Sequence, residues 1–329
     1  MARNEAAYIA EWVHHHLYFG FAPIEIAVNR STDASAKIVA KIAEQDDRVQ
    51  LIDGDLLDRP GHDIQRSNYR AARARLRKRL DPWDYIAYFD IDEFWTPTDF
   101  TSSILTVLGK AGHPDITSFN WFVLASDTRP FAPSFRPSFF GYHHVMVKSV
   151  IRIGLPAVVG APTCRPLWPV PNLVPDGPAI ANRDRARTVA LPTQFGPAYV
   201  LHREHRSEVE YLAILGRGNP MPGAGSFKTN RAGYFATDRP NRRHKSVDLA
   251  ETVLRPYLAS RRRFLERLDA DAYLPKARAG VLARSRAVLE GYHALSEEEK
   301  QLRKRQFRRV DFDRALNMLD RLQARFGTG

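Results

Sequence analysis

The chain has 329 residues, of which 44% are hydrophobic, and it carries a formal net charge of +12 at pH 7. This composition is sufficient to bury a full core and excludes an intrinsically disordered protein. The one cysteine, Cys164, excludes an intrachain disulfide and a cysteine-based zinc cluster, and it suits a reducing compartment. The sequence shows no apolar run near the roughly 20 residues that span a membrane and no secretory leader, so it predicts a cytoplasmic protein.

The first third of the chain alternates between amphipathic helices and short apolar strands. We expect a helix after Asn4, its predicted N-cap, and strands over residues 24–28, 49–52 and 85–89. Between the last two strands, a helix is expected to begin at residues 65–66. Such alternation is typical of an α/β fold with a mostly parallel sheet that helices cover on both faces.

Three consecutive histidines in the first helix, His14, His15 and His16, resemble a metal-binding tract. Successive residues on a helix point about 100° apart, so the three rings cannot converge on one ion. We therefore expect these histidines to have packing or surface roles.

The apolar run from Tyr85 to Phe89 ends in clustered negative charge, with Asp90, Asp92 and Glu93 close together. Side chains alternate along a strand, so Asp90 and Asp92 would point to the same side and could share a divalent cation. The ends of parallel strands meet at one edge of a sheet, where ligands bind in α/β folds. The pattern therefore predicts a metal site, with a solvated strand end as the alternative.

Several segments form a recognisable set: Asp90-Ile91-Asp92-Glu93-Phe94, Arg3-Asn4-Glu5-Ala6-Ala7-Tyr8, Glu11-Trp12-Val13, Val147-Lys148-Ser149-Val150-Ile151-Arg152, and His202 followed by Ser207, Glu210-Tyr211 and Arg217-Gly218. Together they resemble the Asp-x-Asp glycosyltransferases of families 2 and 92. The resemblance covers roughly residues 3–220 in the same order and leaves the last third of the chain uncovered.

The resemblance implies a GT-A-like glycosyltransferase domain over residues 1–241, with a proline-rich insertion at about 155–198. Residues 242–329 then form a basic helical C-terminal extension. The implied activity is the metal-dependent transfer of a sugar from a nucleotide-diphosphate donor to a hydroxyl of a glycan or lipid-linked acceptor. Among such donors, a UDP-sugar is expected. The resemblance favours inversion at the anomeric carbon, whereas the residues alone leave inversion or retention open.

The resemblance and the positions of residues at strand ends and helix starts together suggest roles for individual residues. Asn29 stands where the family has an acidic residue for the nucleotide base, and its amide carbonyl can still accept the uracil N–H. Arg66 lies at a helix start, where a diphosphate would meet a guanidinium and free backbone N–H groups. Asp127, after a further strand, is a candidate general base, with a turn aspartate as the alternative. The implied metal ligands are Asp90, Asp92 and His202, which suit Mn²⁺ or Mg²⁺, and the implied donor-binding residues are Asn4, Glu5, Asn29, Asp53, Arg66 and Asp90.

The basic charge is concentrated at the C-terminal end, where residues 242–329 hold 21 Lys and Arg against 12 Asp and Glu. This excess suggests peripheral contact with an anionic surface, such as the inner face of a membrane or an acidic glycan, and a solvated helical face is the alternative. Nucleic acid is not expected, because the basic runs lack interleaved aromatic residues. The alternative function is a degenerate transferase domain that binds glycan or membrane surfaces through this region.

Overall fold

The computed structural model describes residues 1–58, 62–125, 129–160, 163–168, 170–174, 177–180, 191–218, 227–234 and 244–326. Its helices are α1 Ile9–Tyr18, α2 Ser35–Gln45, α3 Ile64–Leu76, α4 Ile104–Lys110, α5 Glu208–Leu215, α6 Glu251–Arg267, α7 Ala270–His293, α8 Glu297–Arg303 and α9 Phe312–Phe326. Its strands are β1 Ile24–Val28, β2 Val49–Asp53, β3 Tyr85–Ala87, β4 Glu93–Pro97, β5 Ile116–Leu124, β6 Ser138–Arg152, β7 Ala157–Val158, β8 Arg165–Pro166, β9 Asn172–Val174, β10 Gly177–Ile180, β11 Ala198–His202 and β12 Lys245–Asp248. The predicted α/β class and C-terminal helices are confirmed.

The sheet is mixed. Strands β1 and β2 form a separate parallel pair. In the larger sheet β4, β11, β5, β6 and β3 lie side by side, and β5 is parallel to β11 and β9. The pairs β11–β4, β5–β6, β6–β3 and β6–β12 are antiparallel. The long strand β6 explains why the expected mostly parallel arrangement is incomplete, because it returns directly beside β5 without a crossover helix.

The acidic cluster lies on a turn, in contrast to the predicted strand end. Strand β3 stops at Ala87, and the next strand begins at Glu93. The backbone N–H of Glu93 donates to the Asp90 carbonyl at 2.9 Å, and a Glu93 carboxylate oxygen accepts the N–H of Asp90 at 2.9 Å. These two bonds close a tight turn, so strand alternation does not set the directions of Asp90 and Asp92.

The C-terminal helices pack on the elements that precede them. Tyr257 of α6 is fully buried in the main core, where its hydroxyl lies 3.2 Å from Nδ1 of His15. The His14 ring contacts Ser260 at 3.1 Å, and His16 is also buried. The three histidines of α1 therefore have packing roles. Helices α5, α7 and α9 bury a second apolar cluster around Tyr211 and Leu289.

The C-terminal helices have separate boundaries. A capping box at Ser296 opens α8, which ends at Arg303, and α9 begins at Phe312. Helix α6 continues through Pro256 to Arg267. Within the described ranges, no helix is long and apolar enough to cross a membrane.

Candidate functional site

The indole of Trp12 stabilises the acidic turn by hydrogen bonding to its backbone. Its N–H donates to the carbonyl oxygens of Asp90, at 2.9 Å, and Glu93, at 2.8 Å. Trp12 belongs to the apolar stripe of α1, so the first helix supports the turn directly. In the sequence, Trp12 stands out only as part of the Glu11-Trp12-Val13 element, which does not indicate this role.

Three side chains hold the carboxylate of Asp90. Gln65 donates to Oδ1 at 2.8 Å, and the hydroxyl of Tyr69 lies 3.5 Å from the same atom. The ammonium group of Lys148 lies 3.2 Å from Oδ2. Burial disfavours the charged form of Asp90, but the charge of Lys148 outweighs it and lowers the pKa of Asp90. Both oxygens are thus already engaged by protein groups.

Glu93 lies behind this turn and is fully buried. Its Oε2 forms an ion pair with Lys148 at 2.8 Å, and the side chain of Lys148 is only 2% exposed. Burial raises the pKa of Glu93 to about 7, although Lys148 opposes that shift. For Lys148, burial disfavours the charge, but Asp90 and Glu93 outweigh it and raise its pKa. One buried ammonium therefore links two of the three predicted carboxylates.

Asp92 faces a different set of partners. Its Oδ2 lies 3.8 Å from Nε2 of His202, which is an ion-pair distance and too long for a hydrogen bond. Burial disfavours a charged Asp92, but His202, Arg206 and Arg231 outweigh it and lower its pKa well below the usual value. The predicted proximity of Asp92 and His202 is confirmed, since β11 pairs antiparallel with β4 and sets His202 opposite Glu93.

Basic side chains gather beside Asp92. Arg231 lies 3.9 Å from Asp92 Oδ2 and 3.6 Å from Glu204 Oε1. Burial lowers the pKa of Lys228 to about 8, and the nearby charges of Arg231 and Arg217 add to this shift. Like charges held this close repel one another, which an anionic ligand between them would relieve.

Glu5, a predicted donor-binding residue, is buried and paired with arginines. Its Oε2 lies 3.2 Å from Arg206, and its Oε1 accepts from Arg217. Its backbone N–H donates to Ser35 at 2.9 Å. Glu5 therefore orients the arginines near Asp92 and does not itself lie on the acidic turn.

Other predicted donor-binding residues occupy a neighbouring edge. Asn4 is not a helix N-cap, because α1 begins at Ile9. It adopts a left-handed backbone with φ 54°, and its side chain accepts the N–H of Thr32 at 2.8 Å. Asn29 is buried directly after β1, and the exposed Asp53 pairs in register with the preceding residue, Val28. The parallel pairing of β1 and β2 brings the ends of these two strands together, but in a sheet separate from the one that holds β3 and β4.

Arg66 lies in the first turn of α3, as expected. Its guanidinium lies 3.1 Å from the N-cap residue Asp63, whose carboxylate also accepts the Arg66 N–H. Asp127, the candidate base, lies outside the described residues.

The donor atoms of Asp92 and His202, beside the acidic turn, are of the kinds that divalent cations take as ligands. Among the described residues no group of three His, Cys, Asp or Glu side chains could hold a metal by itself. Mg²⁺ commonly uses one or two carboxylates and completes its shell with water and substrate phosphate. Asp92 and His202 offer a carboxylate and an imidazole, and Nε2 of His202 faces the carboxylate at 3.8 Å.

Several residues of the site were missed by the sequence interpretation. Lys148 was part of a motif that resembles a family element, yet it was given no role. Lys228 and Arg231 follow a glycine-rich stretch and had no periodic signal. The cue for Lys148 was a lysine within an otherwise apolar strand, where a buried charge needs carboxylate partners. The sequence matches no known family model and no curated protein, so the site is interpreted through its own geometry.

Proposed function

We propose that this chain is a metal-dependent glycosyltransferase that uses a nucleotide-diphosphate sugar. The observation that carries the proposal is the position of Asp92, whose Oδ2 lies 3.8 Å from His202 and 3.9 Å from Arg231, next to the mutually repelling Lys228 and Arg217. A carboxylate and an imidazole suited to a cation, beside this cluster of basic side chains, would be complementary to a metal-bound diphosphate. A UDP-sugar is the donor that the proposal favours.

In this proposal, different residues bind the metal ion, bind the phosphates and position the acidic turn. Asp92 and His202 would hold Mn²⁺ or Mg²⁺, which would neutralise charge on the departing diphosphate when it is bound. Arg231 and Lys228 would bind phosphate oxygens directly. Gln65 and Lys148 fix Asp90, so the turn keeps its shape while the ligand binds. The acceptor is a glycan or lipid-linked hydroxyl, and the proposal leaves the transferred sugar and the linkage open.

Donor hydrolysis tests the proposal without knowledge of the acceptor. Labelled UDP-sugars are incubated with the full chain and Mn²⁺, and with EDTA in parallel. We expect metal-dependent release of UDP and a loss of about a hundredfold or more in Asp92→Asn, because one electrostatic contact of this kind contributes on the order of 3 kcal/mol. Asp271→Asn, an exposed carboxylate on α7, is the matched control. Release that neither EDTA nor Asp92→Asn reduces would overturn the proposal.

A further inference from the structure

Trp121 of β5 lies against the candidate site. The ring centroids of Trp121 and His202 are 4.2 Å apart, and those of Trp121 and His144 are 5.7 Å apart. In the parallel pairing of β5 and β11, His202 is opposite Val123. Trp121 is two residues from Val123, so its indole and the His202 ring lie on the same face of the sheet.

A bulge in the neighbouring strand shapes this position. Asn120 pairs with Val147 and Phe122 pairs with His143, so β5 advances two residues where β6 advances four. The amide of Asn120 donates to the carbonyl of His144 at 3.3 Å, which holds the bulge. Because the bulge interrupts the ladder at Trp121, the indole has no regular cross-strand neighbour on β6. Bulges commonly redirect a side chain beside a functional site.

The indole at this position lacks the contact that would explain it as a structural tryptophan. Its N–H is buried and has no hydrogen-bond partner among the described residues, although a buried tryptophan usually has one. Trp121 is also partly exposed, within a strand that is otherwise largely buried. These features indicate that the flat aromatic face of Trp121 binds a ligand.

We propose that Trp121 and His144 form an aromatic platform that binds a pyranose ring next to Asp92. The face of an aromatic ring carries partial negative charge, and the axial C–H groups of a pyranose carry partial positive charge, so the two stack. The inference rests on the proposed function for its setting, since a sugar on this platform lies beside the phosphate-binding cations. The ring belongs either to the donor or to the acceptor, and the chemistry of binding is the same.

Two binding measurements separate these sources. Calorimetry compares UDP with UDP-glucose and UDP-galactose, and saturation-transfer NMR follows the methyl glycosides of the same sugars. If the ring belongs to the donor, Trp121→Leu weakens UDP-sugar binding by about 2- to 10-fold and leaves UDP unchanged. If it belongs to the acceptor, Trp121→Leu weakens methyl glycoside binding by a similar factor and leaves the UDP-sugars unchanged.

Trp121→Phe keeps an aromatic face and should retain most of the affinity, which separates stacking from a folding defect. Trp83→Leu replaces a tryptophan that is 68% exposed beside Arg152 and is the matched control. Equal affinities in wild type and Trp121→Leu for every sugar would overturn the platform while the proposed function stands. If the wild type binds no nucleotide, the proposed function fails, and the methyl glycoside measurement still decides the platform.

Discussion

Lys148 Nζ lies 2.8 Å from Oε2 of Glu93, and the two side chains are 2% and 1% exposed. A buried ion pair is costly to break, because the remaining charge has lost its water and its partner. The pair also anchors Asp90, so it joins the stability of the fold to the shape of the candidate site.

We expect Lys148→Met to lower the free energy of unfolding by about 3–5 kcal/mol, since Glu93 and Asp90 lose their shared cation. Urea unfolding measures the loss. The double variant Lys148→Met/Glu93→Gln should recover part of it, because no buried acidic group at Glu93 then lacks a partner. A single variant as stable as the wild type would contradict the buried pair.

The buried histidines of α1 predict sensitivity to acid. Burial lowers the pKa of His14 and of His16 to about 4. The unfolded chain takes up protons on these residues below about pH 6.5, whereas the folded chain does so only near pH 4. The free energy of unfolding therefore falls as the pH drops from 6.5 to 4, by up to about 1.4 kcal/mol per pH unit for each histidine.

The variant His16→Phe removes one of these groups and keeps an aromatic ring in its stack with Phe89. We expect its free energy of unfolding to depend less steeply on pH between 6.5 and 4 than that of the wild type. His293→Phe, at an exposed position on α7, is the control. Parallel pH profiles for wild type and His16→Phe would contradict the prediction.

Lys228 predicts how donor binding changes with pH. Burial and the charges of Arg231 and Arg217 lower its pKa to about 8, so it loses its proton as the pH rises through that value. If Lys228 contacts a diphosphate, UDP affinity should fall above pH 8, because the neutral amine no longer attracts the anion. Lys228→Met should weaken binding at pH 7 by about tenfold or more and remove this pH dependence.

Calorimetric titration with UDP at pH 7 and pH 9 measures both effects. The exposed Lys276→Met serves as the matched control. An unchanged affinity in Lys228→Met would remove this lysine from the proposed phosphate site.

The segment between α8 and α9 presents exposed positive charge, with Lys304, Arg305 and Arg308 in contact with solvent and Leu302 76% exposed beside them. Binding to anionic vesicles is expected to be stronger at low salt, since each basic residue contributes about 1 kcal/mol near an anionic surface and screening removes it. Replacing the three basic residues with Glu should lower vesicle binding at least tenfold in co-sedimentation.

The matched control replaces three exposed arginines of α6, Arg255, Arg262 and Arg263, with Glu. If both triple variants lose binding equally, the net charge of the chain alone explains its binding to anionic vesicles. If neutral and anionic vesicles bind alike, the basic segment serves solubility.

The sequence predicted one long-range contact of the site. Asp92 and His202 could be paired because the resemblance implies that both are ligands of one metal ion, and the two side chains do lie close together. The direction of Asp90 could not be predicted, because it depends on a turn closed by Glu93 and supported by Trp12 from another helix. Such contacts join residues far apart in sequence, which periodicity does not record.

The aromatic platform proposed at Trp121 could not be predicted from the sequence either. The further strand expected before Asp127 is confirmed as β5, which carries Trp121. The bulge in β6 adds residues to one strand of a pair, and it becomes visible only when the pairing of both strands is known.

The bond between His15 and Tyr257 also bears on how the chain is made. The two residues are 242 positions apart, so α1 cannot complete its packing until α6 has left the ribosome. At about 5–20 residues per second, this delay is roughly 12–50 s. During that time the aromatic face of the first helix lacks its final cover, and a nascent chain in this state would depend on chaperones to avoid aggregation. Synthesis that stops at residue 241 would leave that face uncovered permanently.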